Sequence, residues 1–246
     1  MNWRYFFFLF MIPVVCVSQN PQGKDSIRQL IRNSENDSVR TTYYLEMGDL
    51  YQYVNRDSAL HYYHRALALS KRIRNITLKL KTYNYLGAFY YINAEYDKTL
   101  EYFEKSLRLK QKVGDKGGMA NSYNNLGVIA RKNGQPAKAL DYFNNALSLR
   151  KKMLGKSDLT QEERIQSLKK IGKAFMNIGN VHYQVGDYPE ALRNYKTSIA
   201  YYDSSDYKMG LSGCYNNIGS IFEQQKKYVK ARDYFSTAAI IYKQEK

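Results

Sequence analysis

Three asparagines stand two positions before a glycine: Asn125 before Leu126-Gly127, Asn177 before Ile178-Gly179 and Asn217 before Ile218-Gly219. Asn84, Asn124 and Asn216 stand one position earlier in the same register. A primary amide offers a donor and an acceptor together. A ladder of amides along a groove therefore suits the backbone of an extended peptide and reads no side chain, and this predicts peptide contact by Asn84, Asn125, Asn177 and Asn217. Lys81, Lys173, Tyr91, Arg131 and Tyr183 are placed to set its preference in charge and shape. The competing use of the same amides is to bridge adjacent helices.

Catalytic chemistry has much less to draw on. His61 and His64 sit three apart and His182 stands far away, with no cysteine or acidic cluster to complete a metal site. The sequence contains no G-x-S-x-G, H-E-x-x-H, Walker or dinucleotide motif. The expectation is a protein that is not an enzyme and needs no metal or cofactor.

The elements that must position the amides repeat along the chain. Tyr83-x-x-Leu86-Gly87, Tyr123-x-x-Leu126-Gly127, Phe175-x-x-Ile178-Gly179 and Tyr215-x-x-Ile218-Gly219 place their glycines 40, 52 and 40 residues apart. Tyr96, Pro136, Tyr188 and Tyr228 keep those intervals, as do Thr99, Ala139, Ala191 and Ala231, and Phe103, Phe143, Tyr195 and Phe235. Tyr44-x-x-Met47-Gly48 with Ala59 and Tyr63 forms an earlier copy whose turn is one residue shorter. Apolar residues fall at i, i+3, i+4 and i+7 on both sides of a Gly- or Pro-marked break, so each copy is a pair of helices, A then B. Small residues at the helix crossing let two backbones approach while aromatics plug the flanks. This column pattern is a packing code.

The pattern L-G-x-x-[Y/A/H/F], a turn, and A-x-x-x-[F/Y]-x-x-[A/S] resembles the tetratricopeptide repeat. The unit is longer than the roughly 34 residues usual for that repeat. It is similar to the long variety of bacterial signalling proteins, including exported sensor regions of Bacteroidetes-like bacteria. The resemblance implies an all-α, right-handed solenoid of about five helix pairs that binds a protein or peptide segment on its concave face. It also implies backbone contact at Asn125, Asn177 and Asn217. The family's chaperone-tail receptors clamp a carboxylate with a Lys, Asn and Arg set. Only fragments of that set are present, for example Lys81, Lys173 and Asn180, and the matching positions hold residues such as Leu45, Ala88, Val128 and Met176.

The organisation read from the sequence is a signal peptide over 1–18, an N-terminal segment with a short capping helix over 19–36, and the array over 37–246. Its repeats lie near 37–75, 76–115, 116–155, 160–206 and 207–246. Arg4, the apolar run from Tyr5 to Val17, and Cys16-Val17-Ser18 predict export with cleavage after Ser18, to the periplasm or envelope. A retained anchor is the alternative, and acylation of Cys16 is disfavoured by the bulk of Val15. Cleavage would leave Cys214 as the lone thiol, a small apolar residue in a helix. The extra residues around 154–173 read as a longer loop feeding an extended helix A, with Gly155 as a cap and Thr160-Gln161-Glu162-Glu163 as a capping box.

The chain carries 38 Lys and Arg against 22 Asp and Glu, a formal charge of +16 that favours acidic partners. Eight of the bases, Arg150, Lys151, Lys152, Lys156, Arg164, Lys169, Lys170 and Lys173, face only Asp158, Glu162 and Glu163 within one stretch. That stretch suits an acidic peptide or an anionic lipid, or is a solvated helix face. Nucleic acid is not expected, because most of the 25 tyrosines fall on packing columns and export removes such partners. The last helix, with Ala238, Ala239, Ile240, Ile241 and Tyr242, predicts self-association or docking on a membrane protein.

Overall fold

The computed structural model describes residues 21–244, and the signal-peptide expectation falls outside them. Every regular element among them is a helix. They are α1 (Pro21–Asn33), α2 (Asp37–Tyr51), α3 (Arg56–Arg72), α4 (Ile76–Ile92), α5 (Tyr96–Lys112), α6 (Lys116–Lys132), α7 (Pro136–Leu154), α8 (Gln161–Gln184), α9 (Tyr188–Asp203), α10 (Lys208–Gln224) and α11 (Tyr228–Lys243).

Local chemistry sets the helix ends. Asn36, Asn55, Asn75, Asp115 and Asp187 each accept a bond from a backbone N–H of the first turn with their side chains. Thr160 and Glu163 form the reciprocal capping box that starts α8. Pro136 and Pro189 sit in the first turns of α7 and α9, where a missing N–H leaves no bond unmade. Gly134 and Gly186 take positive φ in the turns between the helices of a pair, and Ala94 and Lys226 take the same conformation in theirs.

The chain forms two compact units that divide between Leu109 and Lys110. In the first, α2 packs on α3, and Leu86 and Phe89 of α4 share a core with Leu45, Ala59 and Tyr63. Ile31 of α1 packs against this core, and Arg28 donates from Nη2 to the Tyr51 hydroxyl at 2.9 Å. In the second unit α6 pairs with α7, α8 with α9, and α10 with α11. Helices α6, α8 and α10 are the A helices of this unit, with α8 in contact with both of the others.

One contact recurs inside each pair. A Cβ added at Gly48, Gly87, Gly127, Gly179 or Gly219 would come within 2.3–2.7 Å of a ring carbon of Tyr63, Phe103, Phe143, Tyr195 or Phe235, respectively. The sequence places these aromatics at the flanks of the helix crossing. The structure lays each ring directly over its glycine, because removing the Cβ opens a slot the width of a ring. Tyr63, Phe143 and Tyr195 are at most 1% exposed as a result. Phe235 is only partly buried, and Ile240 and Tyr242 on the same last helix are 59% and 48% exposed. No helix among the described residues is long and apolar enough to cross a membrane.

Candidate functional site

The A helices of the second unit meet through side-chain amides. Asn177 Nδ2 of α8 donates to Asn124 Oδ1 of α6 at 2.9 Å. Asn217 Nδ2 of α10 donates to Asn180 Oδ1 of α8 at 3.1 Å, and the Tyr195 hydroxyl donates to the same oxygen at 2.8 Å. Nearer the C-terminal ends, Arg131 Nη1 donates to Gln184 Oε1 at 3.2 Å. Asn177 is 8% exposed, so its amide needs such a partner. Burial also pushes the Tyr195 hydroxyl above the ordinary tyrosine range and keeps it a donor.

Below these bonds lies a recess of about 300 Å³ lined by Arg131, Asn180, Tyr183, Gln184, Tyr195, Asn217 and Ser220. Its walls offer a guanidinium, the hydroxyls of Tyr183 and Ser220 beside the already bonded one of Tyr195, and amides whose oxygens and nitrogens are only partly used. Such a lining offers hydrogen-bond donors and acceptors to a polar group. It lacks a nucleophile paired with a base.

The nine residues expected at the site fall in both units. Arg131, Tyr183 and Asn217 converge on the recess. Asn177 lies in the seam beside it, and Lys173 is exposed one turn earlier on α8. Asn125 is exposed on α6, and its neighbour Asn124 makes the interhelical bond instead. In the first unit Asn84 is exposed and accepts from Ser106 Oγ at 2.9 Å. Lys81 stands 5.9 Å from the centre of the Tyr85 ring, and the Tyr91 ring lies 5.9 Å from that of Tyr96.

Asn180 and Ser220 are site residues that the amide column does not reveal. Both directly follow the glycine, where the corresponding residues of other repeats are Asp49, Ala88 and Val128. A polar residue at that position is the signal. The histidines have local roles: the His61 ring packs edge-on against Tyr62, and His182 Nδ1 lies 3.2 Å from Asp187 Oδ2.

Paired helices, clasped by a glycine under an aromatic ring and joined side by side through their A helices, define a helical-repeat scaffold. The tetratricopeptide repeat family matches residues 78–152 and 170–244, and the chain belongs to that family. Its general function is protein–protein interaction. No match emerged among curated proteins. Among solved structures, the chain is similar to BtubC (BKLC) from P. vanneervenii, with 18% identity, a TM-score of 0.67, and coverage of 94% of this chain and 90% of that one. It is similar to a putative kinesin light chain with nearly identical TPR-like repeats from Podosopora anserina, with 15% identity, a TM-score of 0.59, and coverage of 87% and 99%. A Signal Transduction ATPase with Numerous Domains protein with a tetratricopeptide repeat sensor from Pyrococcus horikoshii shares 16% identity at a TM-score of 0.67, covering 86% of this chain and 32% of that one. These likenesses are of fold.

Proposed function

We propose that the A-helix face of the second unit binds an extended segment of a protein partner, with backbone groups held in the recess between α8 and α10. The observation that carries this reading is the convergence of Arg131, Asn180, Tyr183, Asn217 and Ser220 on one open cavity of mixed polar and apolar lining. Asn177 and Asn217 support it in two ways, by fixing the spacing of the A helices and by presenting amide oxygens along the seam. The excess of Lys and Arg favours an acidic partner.

The test is selection of displayed random dodecapeptides on the full chain, followed by affinity measurement against Ser220→Trp, which fills the recess. Selected peptides should lose at least tenfold in affinity, while the circular dichroism melt stays within a few degrees. Equal affinity for both proteins would remove the recess from consideration.

A second reading, a sensory module of an exported signalling system, is favoured by the last helix. A recess of about 420 Å³ opens beside Phe235, lined also by Glu223, Tyr228, Ala231, Arg232 and Ala239, and the same helix carries the exposed Ile240 and Tyr242. Such a face suits docking on a membrane protein or on a second copy. Export itself is proposed from the charged, apolar and small-residue order of residues 1–18. Replacing the exposed Ile240 and Tyr242 by Ser should abolish partner docking and self-association without changing peptide affinity if this reading holds.

A further inference from the structure

Arg150 is the most enclosed charge of the basic stretch. It is 6% exposed, near the C-terminal end of α7. In the same register, eleven residues after the small residue of each B helix, Ser70 and Tyr202 are buried and neutral, Lys110 is a partly buried cation that donates to the Ser122 hydroxyl, and Tyr242 is exposed. Arg150 Nη2 donates to Asn121 Oδ1 and, at 3.4 Å, to the carbonyl of Gly117, both on α6. Both acceptors are uncharged, and Nε and Nη1 bond to no described residue and reach solvent rather than being sealed in the core. Burying a guanidinium without a counter-ion is unfavourable, and burial alone depresses the pKa of this one.

A second cation stands on α8, the helix packed against α7. Lys170 of α8 lies close enough for the Arg150 charge, after burial, to lower its pKa. Elsewhere in the basic stretch, the Lys151 ammonium stands over the Phe175 ring at 5.4 Å and that of Lys169 over Tyr207 at 5.2 Å. Arg150 and Lys170 have no such ring. The sequence alone leaves this stretch either as a solvated face or as an anion attractor, and the burial of Arg150 excludes a wholly solvated face.

Lys170, Lys173, Asn177, Asn180 and Gln184 follow one another at helical spacing along α8. From Lys170 to Asn180 is ten residues, or about 15 Å of helix. An extended chain covers that distance in about four or five residues. We infer that Arg150 and Lys170, with Asn121, form the seat of an acidic side chain on the bound segment, four or five residues away from the part held in the recess. This inference rests on the segment-binding reading and adds a chemical requirement to it, a carboxylate at one fixed distance.

The test follows the Arg150 Nε–H resonance of the full chain during titration with sodium glutarate, and separately with inorganic phosphate. Fluorescein-labelled heptaglutamate and heptaglutamine are then compared on the native chain, Arg150→Met and Lys170→Gln. Glutarate should shift the Arg150 signal saturably and leave exposed Arg193 unmoved. Heptaglutamate should bind at least tenfold more tightly than heptaglutamine, with most of that difference lost in Arg150→Met and about threefold lost in Lys170→Gln. Lys170 is exposed, so its variant tests the seat without disturbing the core.

A silent Arg150 resonance, or equal binding of the two peptides, overturns the inference. A response to phosphate but not to glutarate overturns the carboxylate assignment. Peptides that still depend on Ser220 while glutarate is silent would leave the recess standing and remove only the acidic seat. Saturation by glutarate without any recess-dependent peptide would overturn its assignment to a bound segment.

Discussion

Asn177 of α8 reaches back to Asn124 of α6, and the 2.9 Å bond joins two A helices through residues 53 positions apart in the chain. The residue that holds the seam is thus one of the candidate peptide-binding amides, and its partner is not Asn125 but the residue beside it. Replacing Asn177 by Ala leaves the Asn124 oxygen without its donor and should cost about 1–2 kcal/mol in chemical denaturation. A double-mutant cycle with Asn124→Ala should return a coupling of about 0.5–1.5 kcal/mol. Additive losses would mean that the bond contributes nothing.

Gly127 lies under the Phe143 ring, with space only for a hydrogen. A Cβ there would stand 2.6 Å from a ring carbon. Gly127→Leu should therefore destabilise by about 1–3 kcal/mol through overpacking. Gly134→Ala makes a useful contrast, since nothing crowds its Cβ but its φ of +69° is strained for any side chain. Unfolding curves for the two variants separate crowding from backbone strain, and a Gly127→Leu protein that melts like the native chain would refute the clasp.

Asp49 occupies in the first repeat the place that Asn180 holds in the fourth. Burial raises its pKa, and the nearby Tyr63 hydroxyl is buried without a partner. A carboxyl with a raised folded pKa contributes stability that is present below the unfolded value and is lost as pH rises through the folded value. Asp49→Asn should consequently stabilise the protein at pH 7, by about 1 kcal/mol if the new amide accepts from Tyr63 as Asn180 does from Tyr195. The gain should shrink toward pH 4. Melting temperatures of both proteins across that range check the sign.

Cys214 is fully buried, its thiol directed at Ser198 Oγ at 3.2 Å and pushed up to about 11 by burial. Alkylation by iodoacetamide at pH 7.5 should be more than about 100-fold slower in the native protein than in denaturant, because the thiolate is scarce and enclosed. Rapid native labelling would place the residue elsewhere.

The pairing of helices was readable from residue types because the glycine, the small residue and the aromatic contact one another within a single repeat. The capping box at Thr160 was readable for the same reason, as its two partners are three positions apart. The seam was not readable. Asn124 and Asn125 are adjacent and chemically identical, and only the placement of α8 decides which of them is used. Arg150 shows the limit most clearly. A charge within a basic run reads as surface, yet its burial is set by Gly117 and Asn121, 33 and 29 residues away.

The clasp also bears on the order in which the molecule forms. Gly87 meets Phe103, Gly127 meets Phe143, Gly179 meets Tyr195 and Gly219 meets Phe235, each pair sixteen positions apart in sequence. Contacts so local close quickly, well ahead of bonds that span half a hundred residues. Each hairpin is thus ready to shut as soon as its own two helices are free to fold, and the amide seams zip later between hairpins already made.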